Sequence, residues 1–147
     1  MSNNFEVCVR VFIVKNNKLL LCRRKDRDYF FFPGGHIEFG EKAEDTLRRE
    51  IQEEIDFDLK ISEFVGINEN YFIQDQIKHH EFSLVFSGEI ADGEVEAKED
   101  YLLFKWINLE NISDTKIYPE ILKAKFLQWF KDRKIFWSSQ FYDSVNK

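Results

Sequence analysis

At 147 residues the chain has room for a single ordinary domain, 1–147, and a chain this long buries roughly two-thirds of its unfolded surface without staples. Its 44% hydrophobic and 33% charged content excludes a disordered chain, and a net charge of −6 disfavours a large nucleic-acid partner. No apolar run approaches the ~18 residues of a membrane span, and the short run at 11–14 is no signal peptide, so a cytoplasmic protein without a membrane partner is expected. Residues 5–14 and 18–24 are rich in Val, Ile, Leu and Phe and flank Asn16-Asn17, which supplies the positive φ of a tight β-hairpin. Pairing carried outward from that turn sets Cys8 opposite Lys25 and Cys22 opposite Val11, so no disulfide is expected, and two reduced thiols suit the cytosol. Residues 29–32 read as a short aromatic strand stopped by Pro33-Gly34-Gly35. Residues 42–55 read as a helix with Ala43, Leu47, Ile51 and Ile55 on a buried stripe. Strands are expected at 59–68, 81–90 and 101–107, with Asp92-Gly93 turning between the last two. A closing helix at 119–133 has Pro119 in its first turn and Leu122, Phe126, Trp129 and Phe130 on one face. This order implies an α/β sandwich with an antiparallel or mixed sheet.

The chemistry concentrates between Gly35 and Phe57. On the first helix Glu50, Glu53 and Glu54 stand at i, i+3 and i+4, which places three carboxylates on one face within a turn. Like charges so spaced destabilise a helix by a few tenths of a kcal/mol, a local defect that a hard cation resolves. Mg²⁺ takes oxygen ligands and keeps places for water and substrate phosphate. A solvated acidic face explains the triplet alone equally well. The longer pattern decides between them: Gly35, Glu41, Arg49, Glu50, Ile51, Glu53, Glu54 and Phe57 fall at fixed intervals whose chance occurrence is on the order of a few in a million.

That pattern resembles the Nudix box, G-x5-E-x7-R-E-U-x-E-E-x-G-U with U apolar, preceded here by a short strand and a Gly-rich loop. The resemblance implies an α/β/α sandwich and hydrolysis of a diphosphate bond in a nucleoside diphosphate linked to another group, with nucleoside triphosphates among the candidates. It implies Mg²⁺ or Mn²⁺ as cofactor, held by Glu50, Glu53, Glu54 and the backbone carbonyl of Gly35. It also implies that Arg49 orients a glutamate through a salt bridge and that Glu41 supports the loop. The general base is Glu50 or Glu53 in some relatives. In others it is an acid on the loop before a late Trp-containing strand, for which Glu99 is the candidate. One position departs from the box: Asp56 stands where the family has glycine, and an aspartate tolerates the left-handed helix end at a cost of about 1 kcal/mol or less.

Arg24, at the end of the second strand, matches the place where such relatives set an arginine on substrate phosphates, and Arg10 is a second candidate. His79-His80-Glu81 lacks zinc-site spacing and reads as polar turn residues opening a strand. Tyr71, Phe72, Tyr101 and Tyr118 offer rings for stacking on a base, although an aromatic-rich chain buries most of them in its core. Phe72 stands where ADP-ribose members of the family carry a proline, and the downstream signature of NADH members and the upstream motif of coenzyme A members are missing, which leaves nucleoside triphosphates, nucleotide sugars and dinucleoside polyphosphates. The partner is therefore a nucleotide-type small molecule, and a homodimer is compatible with the sequence. The rival reading is a catalytically inactive nucleotide-sensing or regulatory module on the same fold, against which the intact Glu50, Glu53 and Glu54 argue.

Overall fold

The computed structural model describes residues 4–142. Two Asn residues with φ of 52° and 63° turn β1 (Phe5–Lys15) into β2 (Lys18–Arg24), the hairpin that the Asn16-Asn17 pair predicts. The ladder between the two strands is brief, Val14 to Leu19 and Lys15 to Lys18. Beyond it β1 leaves β2 and pairs in parallel with β5 (Ile77–Glu89), from Phe5–His80 to Ile13–Gly88. β2 instead runs antiparallel to β6 (Leu102–Asn108) over its whole length. Cys8 therefore faces His36 and Cys22 faces Phe104, not the partners that continuous hairpin pairing assigns. Both thiols are buried and free, and burial pushes each pKa up to about 12.

The short strand after the hairpin is displaced from its expected place. Tyr29–Phe32 contributes isolated bridges at Phe30 and Phe31, whereas β3 is Gly34–His36, past Pro33. The reason lies in the glycines: a Cβ at Gly34 would collide with the Val9 carbonyl, so only glycine lets this backbone pair so closely with β1. β4 (Lys60–Gln74) and β5 form a hairpin longer than expected, turned by Asp75 and Gln76 with φ of 52° and 66°. β7 (Phe136–Phe141) lies parallel to β4 and closes one edge. The sheet order is β6-β2-β1-β5-β4-β7 with β3 on β1, so the sheet is mixed.

Each sheet face carries one helix. Leu47, Ile51 and Ile55 of α1 (Ala43–Ile55) pack on Val9, Val11, Ile13, Leu20 and Phe86. On the opposite face Leu122, Phe126 and Trp129 of α2 (Glu120–Asp132) pack on Phe12, Leu19, Leu21, Phe32 and Val85. Strand alternation sends odd residues of β1 to α1 and even ones to α2. Pro119 sits one position before the helix, as its N-cap, with extended backbone. No helix among the described residues is long and apolar enough to cross a membrane.

Candidate functional site

The start of α1 is held by side chains that are not its own N-cap. Lys42 caps with backbone only, and the neighbouring Glu41 takes over the organising role. Its carboxylate accepts the Thr46 hydroxyl at 2.6 Å and a two-pronged contact from Arg49, Nε at 2.8 Å and Nη2 at 3.0 Å. Forked guanidinium–carboxylate contacts of this kind fix orientation as well as charge. The Arg49 and Thr46 donors hold the Glu41 pKa down at about 2. From this anchor the Nη1 of Arg49 reaches Glu50 Oε1 at 3.2 Å and the Glu53 carboxylate at 3.4 Å. One arginine thus ties Glu41 to two of the three helix acids.

The third acid is different. Burial, with the Glu50 charge next, pushes the Glu54 pKa up to about 8. Its Oε1 is buried and lacks a hydrogen-bond partner among the described residues. Burial also raises Glu50, whose side chain retains 20% exposure, while Glu53 projects outward with 58%. A Cβ at Gly35 would occupy the space of the Glu50 carboxyl, so glycine here brings the β3 backbone against the acid. On the loop before β6, the Lys98 N–H donates to the Glu54 carbonyl at 2.9 Å, and Glu99 is close enough for its charge to act on Glu54. The Glu99 side chain is exposed. The three helix acids, Gly35 and Glu99 thus converge on one place. An unmatched buried carboxylate oxygen beside two further hard oxygen donors suits a divalent cation such as Mg²⁺.

Next to this cluster is a cavity of about 390 Å³ on the α2 face of the sheet. Tyr29, Phe72, Tyr118 and Tyr142 contribute aromatic walls, and Asn70, Ser83 and Glu81 lie at its polar floor. Arg10 lines the cavity, donates to the Phe32 carbonyl at 3.1 Å, and acts electrostatically on both Glu54 and Glu81. It therefore joins cavity and acid cluster. Arg24 lines the same cavity, but it pairs with Asp26 at 3.1 Å and lies over the Tyr101 ring. Arg23 is engaged by the carbonyls of Arg24, Lys25 and Arg27. His79 and His80 lie inside β5 and not in a turn, bound to Glu6 at 2.9 Å and to Glu69 at 2.8 Å. Tyr71 stacks on Phe141 outside the cavity. The sequence reading missed Asn70, Tyr29 and Tyr142, and weighed Glu81 only beside His79 and His80 as a metal ligand. For Asn70 and Glu81 a signal existed, since the Asp75-Gln76 turn sets Asn70 opposite Glu81.

Comparison with known proteins shows the family and the fold. Residues 4–130 match the model of the NUDIX domain family. An ADP-ribose pyrophosphatase of Methanocaldococcus jannaschii is 31% identical over 127 residues, spanning 84% of this chain and 73% of that protein. The nucleoside triphosphatase NudI of Escherichia coli is 28% identical over 117 residues, spanning 68% of this chain and 79% of that protein. The crystal structure of a mutator MutT protein from Bacillus halodurans superposes with a TM-score of 0.75 at 18% identity, over 95% of this chain and 91% of that one. The box on α1, the two-helix sandwich and the match over most of the sequence place the chain in the Nudix family, as a hydrolase of phosphorus anhydride bonds.

Proposed function

We propose that this hydrolase cleaves the diphosphate bond of a nucleoside diphosphate linked to another group, with the nucleoside in the aromatic cavity and the diphosphate between Arg10 and the acids of α1. The observation that carries this reading is the buried, unpartnered Oε1 of Glu54 beside Glu50, at the point where Arg10 connects the acid cluster to the cavity. Nudix hydrolases generally use divalent ions, and here Glu50, Glu53, Glu54 and the Gly35 carbonyl would hold Mg²⁺ or Mn²⁺. Such an ion, when bound, neutralises phosphate charge and lowers the pKa of an attacking water.

The protein's own groups do the rest. Arg49, anchored by Glu41, sets the rotamers of Glu50 and Glu53 before any ligand arrives, so little reorganisation is left to the reaction. Arg10, half-buried, and Arg24, exposed, meet the phosphate oxygens. The proton of the attacking water goes to Glu53 or Glu99, the two exposed acids beside Glu54. Glu53 projects from the helix under Arg49, and Glu99 reaches over from the loop tied to α1.

A phosphate-release screen tests the reading. Nucleoside triphosphates, nucleotide sugars, dinucleoside polyphosphates and ADP-ribose are offered with Mg²⁺ and a coupling phosphatase. Turnover of at least one class, abolished by EDTA and restored by Mg²⁺ or Mn²⁺, is the expected result. Glu53→Gln and Glu54→Gln each lower kcat by at least ~100-fold with the fold intact. Near-normal turnover in both variants overturns the metal assignment. Whichever of Glu53→Gln and Glu99→Gln removes the acidic limb of the kcat–pH profile identifies the base.

A further inference from the structure

β4 and β5 set Asn70 and Glu81 directly opposite each other, and both line the cavity floor. Asn70 is only 7% exposed, and its Oδ1 has no hydrogen-bond partner among the described residues. Its neighbour two positions back shows the contrast, since the Asn68 Oδ1 accepts the Ser138 hydroxyl at 2.6 Å. A buried polar group left open at the bottom of a cavity is a place where a ligand completes the hydrogen bonds. Above it, Tyr29 and Tyr118 meet edge-on at 4.9 Å and Tyr118 and Tyr142 at 6.2 Å, giving ring surfaces suited to a planar group.

We propose that Asn70 and Glu81 select guanine as the base of the substrate, by accepting the N–H protons of its Watson–Crick edge. The inference rests on the nucleoside occupying this cavity, as in the functional reading above. An ionised carboxylate only accepts, so its partner must present two neighbouring donors. Guanine offers N1–H and one N2 proton to the two Glu81 oxygens, and its second N2 proton matches the open Oδ1 of Asn70. Adenine sets an acceptor nitrogen, N1, beside its single amino group, and cytosine does the same with N3. Uracil has one N–H flanked by two carbonyls. Only guanine supplies three protons to three acceptors. Burial by the surrounding protein is the main cause of the raised Glu81 pKa. Two N–H donors from a ligand favour the ionised form and reverse that effect. Arg10 lines the same cavity and its charge acts on both Glu81 and Glu54, which links this floor to the acid cluster where the phosphates must go. A vicinal diol of a sugar also presents paired donors, but it lacks the flat face that the tyrosines match.

Calorimetric titration of the metal-free protein in EDTA with GMP, IMP, AMP, UMP and ribose 5-phosphate tests this without calling on hydrolysis. GMP is expected to bind at least tenfold more tightly than AMP and UMP. IMP, which lacks the 2-amino group, is expected to lose about tenfold against GMP. Asn70→Leu should weaken GMP while leaving IMP unchanged, because only the second N2 proton meets that side chain. Glu81→Gln, which turns an N–H toward the base, should weaken GMP at least tenfold and close the gap to AMP. Equal binding of GMP and AMP, absence of mononucleotide binding, or a guanine preference surviving in Glu81→Gln overturns the proposal. Competition by ribose 5-phosphate as strong as by GMP assigns the donor pair to a sugar and also overturns it. Because the wild-type protein with GMP, AMP and UMP suffices for the first comparison, a variant that fails to fold leaves the proposal testable. A guanine preference in EDTA together with no turnover in the phosphate-release screen removes the hydrolytic reading and keeps this one. Turnover without base preference does the reverse.

Discussion

Asp56 closes α1 with φ 59° and ψ 44°, and its N–H returns to the Gln52 carbonyl at 3.0 Å. The left-handed cap is the one a glycine usually fills, and the Gln52 side chain amide donates to the Asp56 carboxylate across the last turn. Asp56→Gly relieves the strain of a side chain at positive φ and loses that exposed hydrogen bond, so its net effect on stability is expected within about 1 kcal/mol. The half-saturating Mg²⁺ concentration should move less than tenfold, and a larger shift would make Asp56 a metal ligand. Glu41 gives a second check at this scale. Its pKa falls from the ordinary 4.5 to about 2 through the Arg49 and Thr46 donors. A carboxylate depressed in the folded state stabilises the protein above its unfolded pKa and loses that contribution as pH drops through the folded one. Wild type should therefore lose stability between about pH 4.5 and pH 2 more steeply than Glu41→Gln in acid melts. Parallel curves for the two proteins would remove Glu41 as the anchor of Arg49.

The α1 helix packs Leu47, Ile51 and Ile55 into one core and carries Glu50, Glu53 and Glu54 outside it. Mg²⁺ bound only by the native acid face should raise Tm with concentration, and NaCl or KCl at matched ionic strength should raise it less. An equal response to both salts would reduce the cluster to a solvated acidic face. α2 rests on its aromatics: Phe126 is fully buried and meets Phe12 at 4.9 Å and Phe130 at 5.8 Å. Phe126→Ala should cost ~3–5 kcal/mol by denaturant unfolding, since the ring leaves a cavity among groups that cannot close over it. Both helices were legible in the sequence because their packing faces repeat every three to four residues in a single segment. The first hairpin was legible for a similarly local reason, its Asn16-Asn17 turn. β3 was not, because Gly34 and Gly35 carry no strand signal, and their place is set by β1 and Glu50.

Across the whole molecule, what stayed hidden is what depends on distant partners. β7 exists as a strand by lying along β4, whose paired residues are some 70 positions earlier in the chain. β1 leaves β2 for β5 after two residue pairs, a choice that no local pattern records. The acids of α1 were readable because helical spacing and the family box specify them within 23 residues, whereas the cavity is assembled from the end of β2, the segment 29–32, β1, β3, β4, β5 and the start of α2. The ranking of the two candidate phosphate arginines turns on the same point. Chain position favours Arg24, at the strand end before the active loop. Assembly favours Arg10, which forms no ion pair among the described residues and whose charge acts on Glu50, Glu54 and Glu81 together. Arg24 instead lies exposed with Asp26 as its partner. Arg10→Met keeps the length of the stem and removes the charge, so it should raise KM at least tenfold, with a smaller change in kcat if the contact is made equally in ground and transition states. Arg24→Met should change KM less, since its charge is partly neutralised by Asp26 and screened by solvent. Steady-state kinetics on the best substrate from the phosphate-release screen, with Tm measured for each variant, compare the two directly. A larger KM effect from Arg24→Met would return the phosphates to the strand end and move the diphosphate away from the mouth of the cavity.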